Sequence, residues 1–512
     1  MDPTRPASRA RRRARASGGP APEANGTCFA GYPSVVIYKS PRARGVANAV
    51  DHLLWGDWMR RTGKEDGDWV QVKARGRMRQ GWVPKASLIE SRLLEVNFVD
   101  IGQGDGSLIV TPEDKWILVD AGERDNMFRF LRWRFGKFQQ KVAFECFVIT
   151  HGDKDHYLGF KRLLRDPNVQ VGTIYHNGVV DRPGKPKLGP SVKVGGVECL
   201  DDVIATEKAL RALFPASGRL GFYPALMKQA LDSGRVGTIR MLSSRDRHLP
   251  GYENGPLRIE VLAPVPEAGR AGKLRLRRFG ASDGVTKNGH SIVLRLRYGN
   301  VAILLGGDLN TPAENHLLAH YGRFNPSSAG PAALAKGIAQ ARKALEADVA
   351  KACHHGSHDF TSEFLRAVNP IATVVSSGDA ESYAHPRPDA LGTFGLCSRG
   401  PRPLIFSTEL ARSSREAIDH PFELKRSLSR YLDGLVQAAD GPARHALVKE
   451  VRDLLKDKLD RSVEVYGMIT LRTDGQKVVL AQRLEKTRSK ASKWDIHRLE
   501  PDAQGRLVYV IK

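Results

Sequence analysis

ITHGDKDH, residues Ile149 to His156, carries the strongest structural signal in this sequence of 512 residues. It overlaps the end of CFVIT (Cys146–Thr150), an apolar run that is typical of a buried strand. Four side chains with metal-binding atoms fall within six residues here: His151, Asp153, Asp155 and His156. Side chains from one loop at the end of a rigid strand can converge on cations. A solvated turn of ordinary loop residues is the alternative, and the position directly after a buried strand argues against it.

Further candidate residues follow along the chain, in this order: His290, Asp308, His354, His355, His358 and His385. His290 precedes the strand-like run SIVLRLRYG, and Asp308 ends VAILLGGD. His354 and His355 are adjacent, and neighbours on a strand point to opposite faces, so one of the two could simply pack. His358 and His385 are candidate proton donors, because imidazole titrates near neutral pH. A surface histidine with a local hydrogen bond is the alternative for each.

The ordered set of motifs resembles the metallo-β-lactamase superfamily, and most of all the ComEC-type hydrolase domain of DNA-uptake proteins. FVDIGQGDGSLIV (Phe98–Val110) and ILVDAG (Ile117–Gly122) resemble the first two strands of that domain. The resemblance covers about residues 93–395. It implies an α+β fold, the metallo-β-lactamase αββα sandwich, with a late strand pair near 463–485 completing the sheet.

The resemblance also implies a centre for two divalent metal ions, zinc or manganese. The residues that it assigns to the first metal are His151, Asp153 and His290. The residues that it assigns to the second metal are Asp155, His156 and one of His354 and His355. Asp308 would bridge the two metals, and Asp120, in ILVDAG, would orient ligands without touching a metal.

Two departures from the superfamily pattern leave parts of this assignment open. Position 153 holds Asp where most members have His, and a carboxylate suits harder cations such as Mn²⁺ beside Zn²⁺. The run KNGHSIVL offers His290, whereas the ComEC-type pattern often has Asn near this point. His290 could therefore contact a ligand residue or the substrate instead of a metal.

The implied chemistry is hydrolysis by a metal-bridging hydroxide. Two neighbouring cations lower the pKa of a bridging water, so that hydroxide forms at neutral pH, and they neutralise charge on the scissile group. The candidate catalytic side chains beside this nucleophile are Asp155, His358 and His385.

The substrate class has to be inferred from other features of the sequence, because proteins with the same fold catalyse many different reactions. The formal net charge is +24, and basic side chains attract phosphates. A weak candidate patch for nucleic acid consists of Arg275, Arg277, Arg278, Arg295 and Arg297. A solvated basic face without a partner is the alternative. With the ComEC-type resemblance, whose family role is nuclease action on DNA, the charge favours a nuclease or phosphodiesterase that acts on DNA or RNA.

Two other functions are kept as alternatives. One is hydrolysis of a small-molecule or cell-wall ester, similar to that of a phosphorylcholine esterase. The other is a nucleic-acid-binding module without catalysis, which the near-complete ligand series disfavours. Two metal ions per chain would favour an enzyme over the binding module.

The sequence before residue 93 predicts a tail and a small β domain. Residues 1–29 are predicted to be a disordered basic tail, with six arginines between Arg5 and Arg15. Residues 30–92 contain short strand-like runs, and GDWVQVK followed by GWVPKASL resembles bacterial Src-homology-3 domains. That resemblance implies a small all-β barrel that docks a peptide or protein partner. The plainer interpretation is that Trp69 and Trp82 fill a small core.

Residues 93–410 are predicted to form the hydrolase domain, with an insertion at about 160–285. Residues 411–512 are predicted to be a helical segment and strands that complete or flank the hydrolase sheet. The five cysteines lack any CxxC spacing and no apolar signal segment is recognised, which predicts a cytoplasmic protein. No run approaches the roughly 18 apolar residues of a membrane span, so no membrane insertion is predicted.

Overall fold

The structure, a computed structural model, describes most of the chain. The residues that it describes are 26–42, 44–75, 79–215, 220–268, 273–280, 282–377, 383–408, 421–438, 440–459, 467–484, 487 and 489–512. The chain divides into two compact units, Met1–Ser91 and Arg92–Lys512. The predicted tail lies outside the described residues up to position 25. Its predicted end at residue 29 is too late, because Thr27–Ala30 form the first strand.

The N-terminal unit is an all-β sheet. Its strands are β1 Thr27–Ala30, β2 Ser34–Tyr38, β3 Ala49–Leu54, β4 Trp58–Asp66, β5 Trp69–Ala74, β6 Gln80–Pro84 and β7 Leu88–Ile89. Their order is β3-β2-β6-β5-β4-β1-β7, and the paired neighbours run antiparallel. Val70 and Val72 are buried, as the alternating pattern of WVQVKA predicts. Trp69 and Trp82 are only half-buried and lie outside the core cluster, so smaller side chains fill this core.

The larger unit contains two central sheets, of which the first has ten strands. They are β8 Leu94–Phe98, β9 Gly106–Val110, β10 Trp116–Ala121, β11 Val142–Ile149, β12 Val169–His176, β15 Val236–Met241, β24 Ile469–Thr473, β25 Val478–Arg483, β26 Trp494–Pro501 and β27 Leu507–Val510. Their order is β15-β12-β11-β10-β9-β8-β24-β25-β26-β27. The strands from β15 to β10 are parallel, and the pairings from β10 to β27 are antiparallel.

The second central sheet has six strands in the order of their numbers. They are β16 Leu257–Ala263, β19 Val293–Tyr298, β20 Val301–Leu305, β21 Val349–Lys351, β22 Ala372–Val375 and β23 Leu404–Ser407. The strands from β20 to β23 are parallel. A small separate sheet has the order β13-β14-β18-β17. Its strands are β13 Ser191–Val194, β14 Val197–Leu200, β17 Glu267–Ala268 and β18 Leu274–Arg277.

Helices cover the outer faces of the two central sheets. The helices are α1 Asn126–Arg134, α2 Lys154–Tyr157, α3 Phe160–Leu163, α4 Glu207–Arg211, α5 Phe222–Asp232, α6 Asp283–Gly289, α7 Thr311–Gly322, α8 Pro331–Leu345, α9 Ser362–Val368, α10 Pro388–Cys397, α11 Pro421–Gln437 and α12 Gly441–Leu459. The inner faces meet in one apolar core, to which Val96 and Ile117 contribute from one sheet and Leu294 and Ile303 from the other. Helices α1 and α5 pack on the first sheet, and α7, α8 and α9 on the second.

The structure corrects the predicted insertion at 160–285. Within this range β12 and β15 extend the ten-stranded sheet beside β11, and β16 forms an edge of the six-stranded sheet. These strands lie toward the sheet edges, where one face or one end is solvated, so their residues alternate and they lack the long apolar runs of β10 or β20. The same range also contains β13, β14, β17 and β18, the four strands of the small separate sheet.

The C-terminal strands belong to the ten-stranded sheet. Strand β24 pairs with β8 in antiparallel register, with Leu471 opposite Val96. Helices α11 and α12 lie in the predicted helical segment. Among the described residues, no helix is both long and apolar enough to cross a membrane.

Candidate metal centre

The candidate ligands lie at the carboxyl ends of parallel strands. His151 comes two residues after β11, Asp308 three residues after β20, and His354 three residues after β21. Strands β11 and β10 are parallel in one sheet, and β20 and β21 are parallel in the other. The two inner strand sets therefore deliver side chains from distant parts of the sequence to one end of the sandwich.

Four of the predicted residues form a tight cluster: Asp155, His156, Asp308 and His355. One ligand atom from each lies within 4.8 Å of the others. Asp308 Oδ2 lies 3.1 Å from His156 Nε2 and 3.2 Å from His355 Nε2. Asp155 Oδ2 lies 3.6 Å from His355 Nε2. These are the residues assigned by resemblance to the second metal, and His355 is the member of the histidine pair that joins them.

Asp120 orients His156. Its Oδ2 lies 2.8 Å from His156 Nδ1 and accepts a hydrogen bond from Thr150 Oγ1 at 2.7 Å. Its Oδ1 accepts from the Thr150 amide at 2.8 Å. Asp120 adopts a left-handed conformation with φ of 56°, which turns its side chain toward this network. The ring nitrogen that faces Asp308 is thereby fixed as Nε2.

His355 is held by groups that the sequence analysis missed. Its Nδ1 lies 3.2 Å from the carbonyl of Ser376 and 3.2 Å from Asp105 Oδ1. Asp105 forms a buried ion pair with Lys351, whose Nζ also donates to the Gly307 carbonyl at 3.1 Å. Asp105 lies in FVDIGQGDG and Lys351 ends β21, directly before the histidine motif. A charged residue inside an otherwise apolar strand was the signal that could have identified Lys351.

His151 and Asp153 form a looser half of the centre. His151 Nδ1 lies 3.2 Å from Thr150 Oγ1 and 3.3 Å from Ser291 Oγ, which leaves Nε2 toward the carboxylates. That atom is 3.8 Å from Asp153 Oδ2 and 3.9 Å from Asp308 Oδ2. Asp153 Oδ1 lies 2.6 Å from Lys287 Nζ. A side-chain cation thus already neutralises one carboxylate of this half.

The structure does not bring His290 to the cluster. Its Nε2 lies 2.6 Å from the carbonyl of Arg277, and its ring packs against Phe279. The neighbouring Ser291 takes the inward position, where its hydroxyl accepts from the Asp308 amide at 2.9 Å. Asn288, two residues before His290, lines the same cavity as Asp153. The interpretation of His290 as a metal ligand has no support in this geometry.

The remaining predicted histidines border the cavity in front of the cluster. This cavity has a volume of about 830 Å³, and its lining includes His354, His358 and His385. His354 Nε2 is 4.0 Å from Asp308 Oδ2, the longest of the histidine contacts with that oxygen. The His385 ring is nearly parallel to that of His355, with centroids 6.3 Å apart. His358 is exposed.

Gly104 shows how closely the loop after β8 approaches the ligand loop. It has φ of 97°, a conformation that favours glycine. A Cβ at this position would lie 1.7 Å from the carbonyl oxygen of Asp155. Any side chain here would displace the segment that carries Asp155 and His156.

The electrostatics of the cluster match a site for cations. Burial opposes ionisation of Asp308, but the nearby His156 and His355 hold its pKa well below the usual value. Burial also opposes protonation of His156, yet Asp308 and Asp120 raise its pKa well above the ordinary value. His151 differs, because burial lowers its pKa to about 4 and keeps its ring neutral. The carboxylates therefore attract positive charge, which a bound metal would supply on displacing protons.

A sequence-family comparison identifies the chain. The family model described as "Metallo-beta-lactamase superfamily" matches residues 99–378, more than half of the chain. The chain belongs to the metallo-beta-lactamase superfamily. The match contains the candidate ligand motifs from His151 to His355.

Two curated relatives of this superfamily member are competence-related proteins. ComE operon protein 3 of Bacillus subtilis is 21% identical over 313 residues, which are 58% of this chain and 30% of that protein. Competence protein ComA of Neisseria gonorrhoeae is 36% identical over 103 residues, which are 20% of this chain and 12% of that protein. This chain therefore spans less than a third of the length of either relative.

Solved structures of other proteins have low similarity to this chain. One is a metal-dependent hydrolase of the beta-lactamase superfamily, with a TM-score of 0.28, 15% identity and coverage of 61% of this chain and 95% of that one. Another is zinc-bound PqqB from Methylobacterium extorquens, with a TM-score of 0.30, 8% identity and coverage of 59% and 85%. The family assignment rests on the match over residues 99–378.

The side chains present fit the divalent metals that are typical of the metallo-beta-lactamase superfamily. His156 Nε2, His355 Nε2 and Asp308 Oδ1 are buried, and none has a hydrogen-bond partner among the described residues. The close contacts with Asp308 Oδ2 lack hydrogen-bond geometry. Buried polar atoms without partners are costly unless a ligand satisfies them. Imidazole nitrogens and carboxylate oxygens are suitable ligands for zinc and manganese alike.

The predicted nucleic-acid patch is already paired within the protein. Arg275 lies 2.6 Å from Asp201, Arg277 2.8 Å from Glu267, and Arg278 2.7 Å from Asp283. The largely buried Arg295 lies 2.5 Å from Glu260, and Arg297 lies 3.9 Å from the same carboxylate. Each of the five arginines therefore has a carboxylate within ion-pair distance, although Arg295 and Arg297 share Glu260, and Arg275 shares Asp201 with Lys273. Nucleic-acid binding by this set of residues stays a prediction.

Proposed function

We propose that the protein hydrolyses phosphodiester bonds of nucleic acid, DNA or RNA, with two divalent metal ions, zinc or manganese. The observation that carries this proposal is the cluster of Asp155, His156, Asp308 and His355. His156 Nε2, His355 Nε2 and Asp308 Oδ1 have no hydrogen-bond partner among the described residues, and all members except His156 line the 830 Å³ cavity. The cluster would hold one metal. His151 and Asp153, with Asp308 between the halves, would hold the second.

The charged residues of the cavity lining are balanced apart from the ligands. They include Lys154, Lys287 and Arg387 and also the carboxylates Glu123, Asp181 and Asp359, so bound metal ions would supply the net positive charge for a phosphate. Lys154 is exposed and lies over the Phe222 ring at 4.9 Å, so it can contact an incoming phosphate. The resemblance of the motifs to the ComEC-type hydrolase domain, whose family role is nuclease action on DNA, supports nucleic acid over other phosphodiesters.

In the proposed reaction, the metal ions and the side chains have different roles. When bound, divalent cations at such a centre activate a water as the nucleophile and neutralise charge on the scissile group. Asp120 and Asp105 keep the rings of His156 and His355 in position. His385 or His358, at the cavity surface, would donate a proton to the leaving oxygen.

The test is a cleavage assay on purified full-length protein loaded with Zn²⁺, Mn²⁺ or Mg²⁺. Substrates would be single-stranded DNA, duplex DNA, RNA, bis(p-nitrophenyl) phosphate and a phosphorylcholine ester. We expect cleavage of at least one nucleic acid, and its loss in Asp308→Ala. Hydrolysis of the phosphorylcholine ester alone would favour the alternative of a small-ester hydrolase. Metal binding without any hydrolysis would contradict the proposal.

For the N-terminal unit, we propose a Src-homology-3-like barrel that docks a peptide or protein. Half-buried aromatic side chains support this, since Tyr38 and Trp69 pack edge-to-face at 6.1 Å and Arg44 lies over Trp69 at 5.0 Å. Such aromatic surfaces are typical of peptide-binding grooves. Quenching of tryptophan fluorescence by added peptides would test it.

A cytoplasmic location is also proposed, because all five cysteines are free thiols.

A further inference from the structure

A second large cavity lies on the outer, helix-covered side of the six-stranded sheet. Its volume is about 810 Å³. The segment after β15, the edge strand β16, the end of α7 and the last turns of α8 form its walls. None of its lining residues belongs to the candidate metal centre. We call it the basic cavity, after the residues described next.

Cations dominate the lining of the basic cavity. The basic side chains are Arg245, Arg247, His248, Arg295, His320, Arg323 and Lys343, and the carboxylate is Glu260. Glu260 is engaged by Arg295. Arg247, Arg323 and Lys343 are exposed, and no carboxylate in the described part of the chain lies within ion-pair distance of them. The cavity therefore concentrates positive charge that the protein does not neutralise itself.

Two of these arginines occupy backbone positions that disfavour a side chain. Arg247 has φ of 62° and Arg323 has φ of 56°. Arg323 follows the end of α7, where glycine is the usual residue. The chain carries arginine at both positions, and both line the same cavity. Strained residues of this kind cluster at functional sites.

The basic cavity contrasts with the arginine run of β18. Arg275, Arg277 and Arg278 each contact a carboxylate, so binding a phosphate there would require breaking an existing ion pair. At Arg247, Arg323 and Lys343 a phosphate would displace only water and counterions. The favoured place for a polyanion is therefore the cavity, whose lining includes Arg295 of the predicted patch, and not the arginine run of β18.

Helix α7 relates the basic cavity to the candidate metal centre. It begins three residues after Asp308 and ends directly before Arg323. Twelve residues at 1.5 Å each make the helix roughly 18 Å long. A nucleic-acid strand advances about 3.4 Å per nucleotide in B-form geometry, so about five nucleotides span that distance.

We propose that the basic cavity binds backbone phosphates of the nucleic-acid strand that the metal centre cleaves, about five or more nucleotides from the scissile bond. This proposal rests on the proposed function and adds a second contact region to it. Strand binding there would raise affinity without contributing to the chemical step, because its residues lie outside the cluster of ligands.

The test measures binding separately from cleavage. Full-length protein in EDTA would be titrated into a fluorescent single-stranded or duplex oligonucleotide, with anisotropy as the readout. The triple variant Arg247→Gln, Arg323→Gln, Lys343→Gln should bind at least tenfold more weakly at low salt. Its slope of log K against log salt should be shallower by about 2 for a single strand and by about 2.7 for a duplex, since three phosphate contacts are lost. Thermal unfolding of both proteins checks that the variant folds.

Two control variants remove the same amount of charge elsewhere. Lys161→Gln, Lys193→Gln, Lys208→Gln removes three exposed lysines, and it should bind like wild type. Arg275→Gln, Arg277→Gln, Arg278→Gln tests the arginine run and should also keep most of the affinity. An equal loss in either control, or no loss in the cavity variant, would overturn the proposal. If the Gln variant unfolds, Arg247→Ala, measured alone, replaces it, with a several-fold loss expected and an unchanged affinity overturning the assignment.

Two further measurements vary the length of the substrate and the source of the phosphate. Metal-loaded wild type should cleave substrates longer than about ten nucleotides with a lower KM than a trinucleotide, and the cavity variant should lose that difference. ATP and inorganic phosphate serve as competitors. Tight binding of ATP at the cavity with no oligonucleotide binding would overturn the strand assignment. Oligonucleotide cleavage with the same KM in wild type and the cavity variant would overturn it too, while leaving the proposed function intact. Strand binding without cleavage would contradict the proposed function.

Discussion

The two halves of the candidate metal centre differ in how closely their candidate ligands approach Asp308. On one side, His156 and His355 lie within 3.2 Å of Asp308, and Asp155 completes a compact donor set. On the other side, His151 is 3.9 Å from Asp308, and Asp153 is paired with Lys287. The first half presents unpartnered ligand atoms, whereas the second half is wider and partly neutralised.

This difference predicts an order of metal binding. A preorganised set of donors binds a cation without paying for rearrangement, but the looser half must first release Asp153 from Lys287. We therefore expect one metal to bind tightly at Asp155, His156, Asp308 and His355, and a second to bind more weakly at the His151 half. The following variants test or sharpen that contrast.

The largest effect is expected for Asp308→Ala, because Asp308 contacts histidines of both halves. Loss of several kcal/mol of metal-dependent charge stabilisation corresponds to a decrease of roughly 10³-fold or more in kcat/KM. Metal content, measured by mass spectrometry, should fall at both sites. An Asp308→Ala protein that keeps two metals and wild-type hydrolysis would contradict the shared role.

Next in size is the difference between two adjacent residues, His355→Ala and His354→Ala. His355 belongs to the tight cluster, whereas His354 is at the cavity surface and 4.0 Å from Asp308. His355→Ala should lose the tight metal and decrease activity by more than the roughly 10–100-fold that loss of an orienting partner costs. His354→Ala should keep the tight metal. Equal losses in a metal titration would show that the two halves are not distinct.

Much of the compact half could be predicted from the sequence, because its ligands are local. Asp155 and His156 lie in one motif after a recognisable apolar strand, and Asp308 and His355 each follow another such strand. Their convergence was predicted from the superfamily resemblance, because no local sequence pattern indicates that two sheets bring these loops together. The choice of His355 over His354 needed coordinates, because both have left-handed backbone angles outside any regular strand alternation.

The supporting residues were harder to predict, for physical reasons that differ. Lys351 and Asp105 lie 246 positions apart, and only the packed sandwich pairs them. Ser291 and His290 are adjacent, and the histidine was favoured for its chemistry although the serine faces the ligands. The ion pairs of the arginine patch were hard to predict for a similar reason, because the partners Asp201, Glu267 and Asp283 lie outside the run of arginines.

An intermediate effect is expected for Asp105→Asn, which tests how the compact half is held. Burial disfavours the charged form of Lys351, but the neighbouring carboxylate of Asp105 outweighs burial and raises the pKa of Lys351. Losing this support for His355 should weaken the tight metal by about 10–100-fold. Asp348→Asn is a matched control, because it breaks another buried ion pair, with Arg399. It should lower thermal stability and leave metal affinity unchanged, and a similar loss in both would mean that Asp105 acts only on stability.

A smaller effect in the opposite direction is expected for Lys287→Met. Removing the ammonium group frees Asp153, so the weaker metal should bind more tightly. A partly exposed ion pair contributes up to about 1 kcal/mol, which corresponds to roughly fivefold in affinity. Lys154→Met removes a neighbouring cation that contacts Phe222 instead, and should change this affinity less. Calorimetric titration with Mn²⁺ would show it, and unchanged second-site binding in Lys287→Met would contradict the inferred competition.

The smallest effect on activity is expected for Glu314→Gln, which separates burial from charge pairing. Like Asp308, Glu314 is fully buried, but it accepts hydrogen bonds from Thr361 instead of facing cations. Burial raises its pKa to about 8, whereas the histidines around Asp308 lower the pKa of that group. The folded protein therefore holds a proton that the unfolded chain releases near pH 4.5. The stability from this proton is complete below that pH and declines as pH rises to about 8, by at most roughly 1.4 kcal/mol per unit. Urea unfolding at several pH values should show wild type losing stability relative to Glu314→Gln over this window, and parallel curves would mean that Glu314 is ionised in the fold.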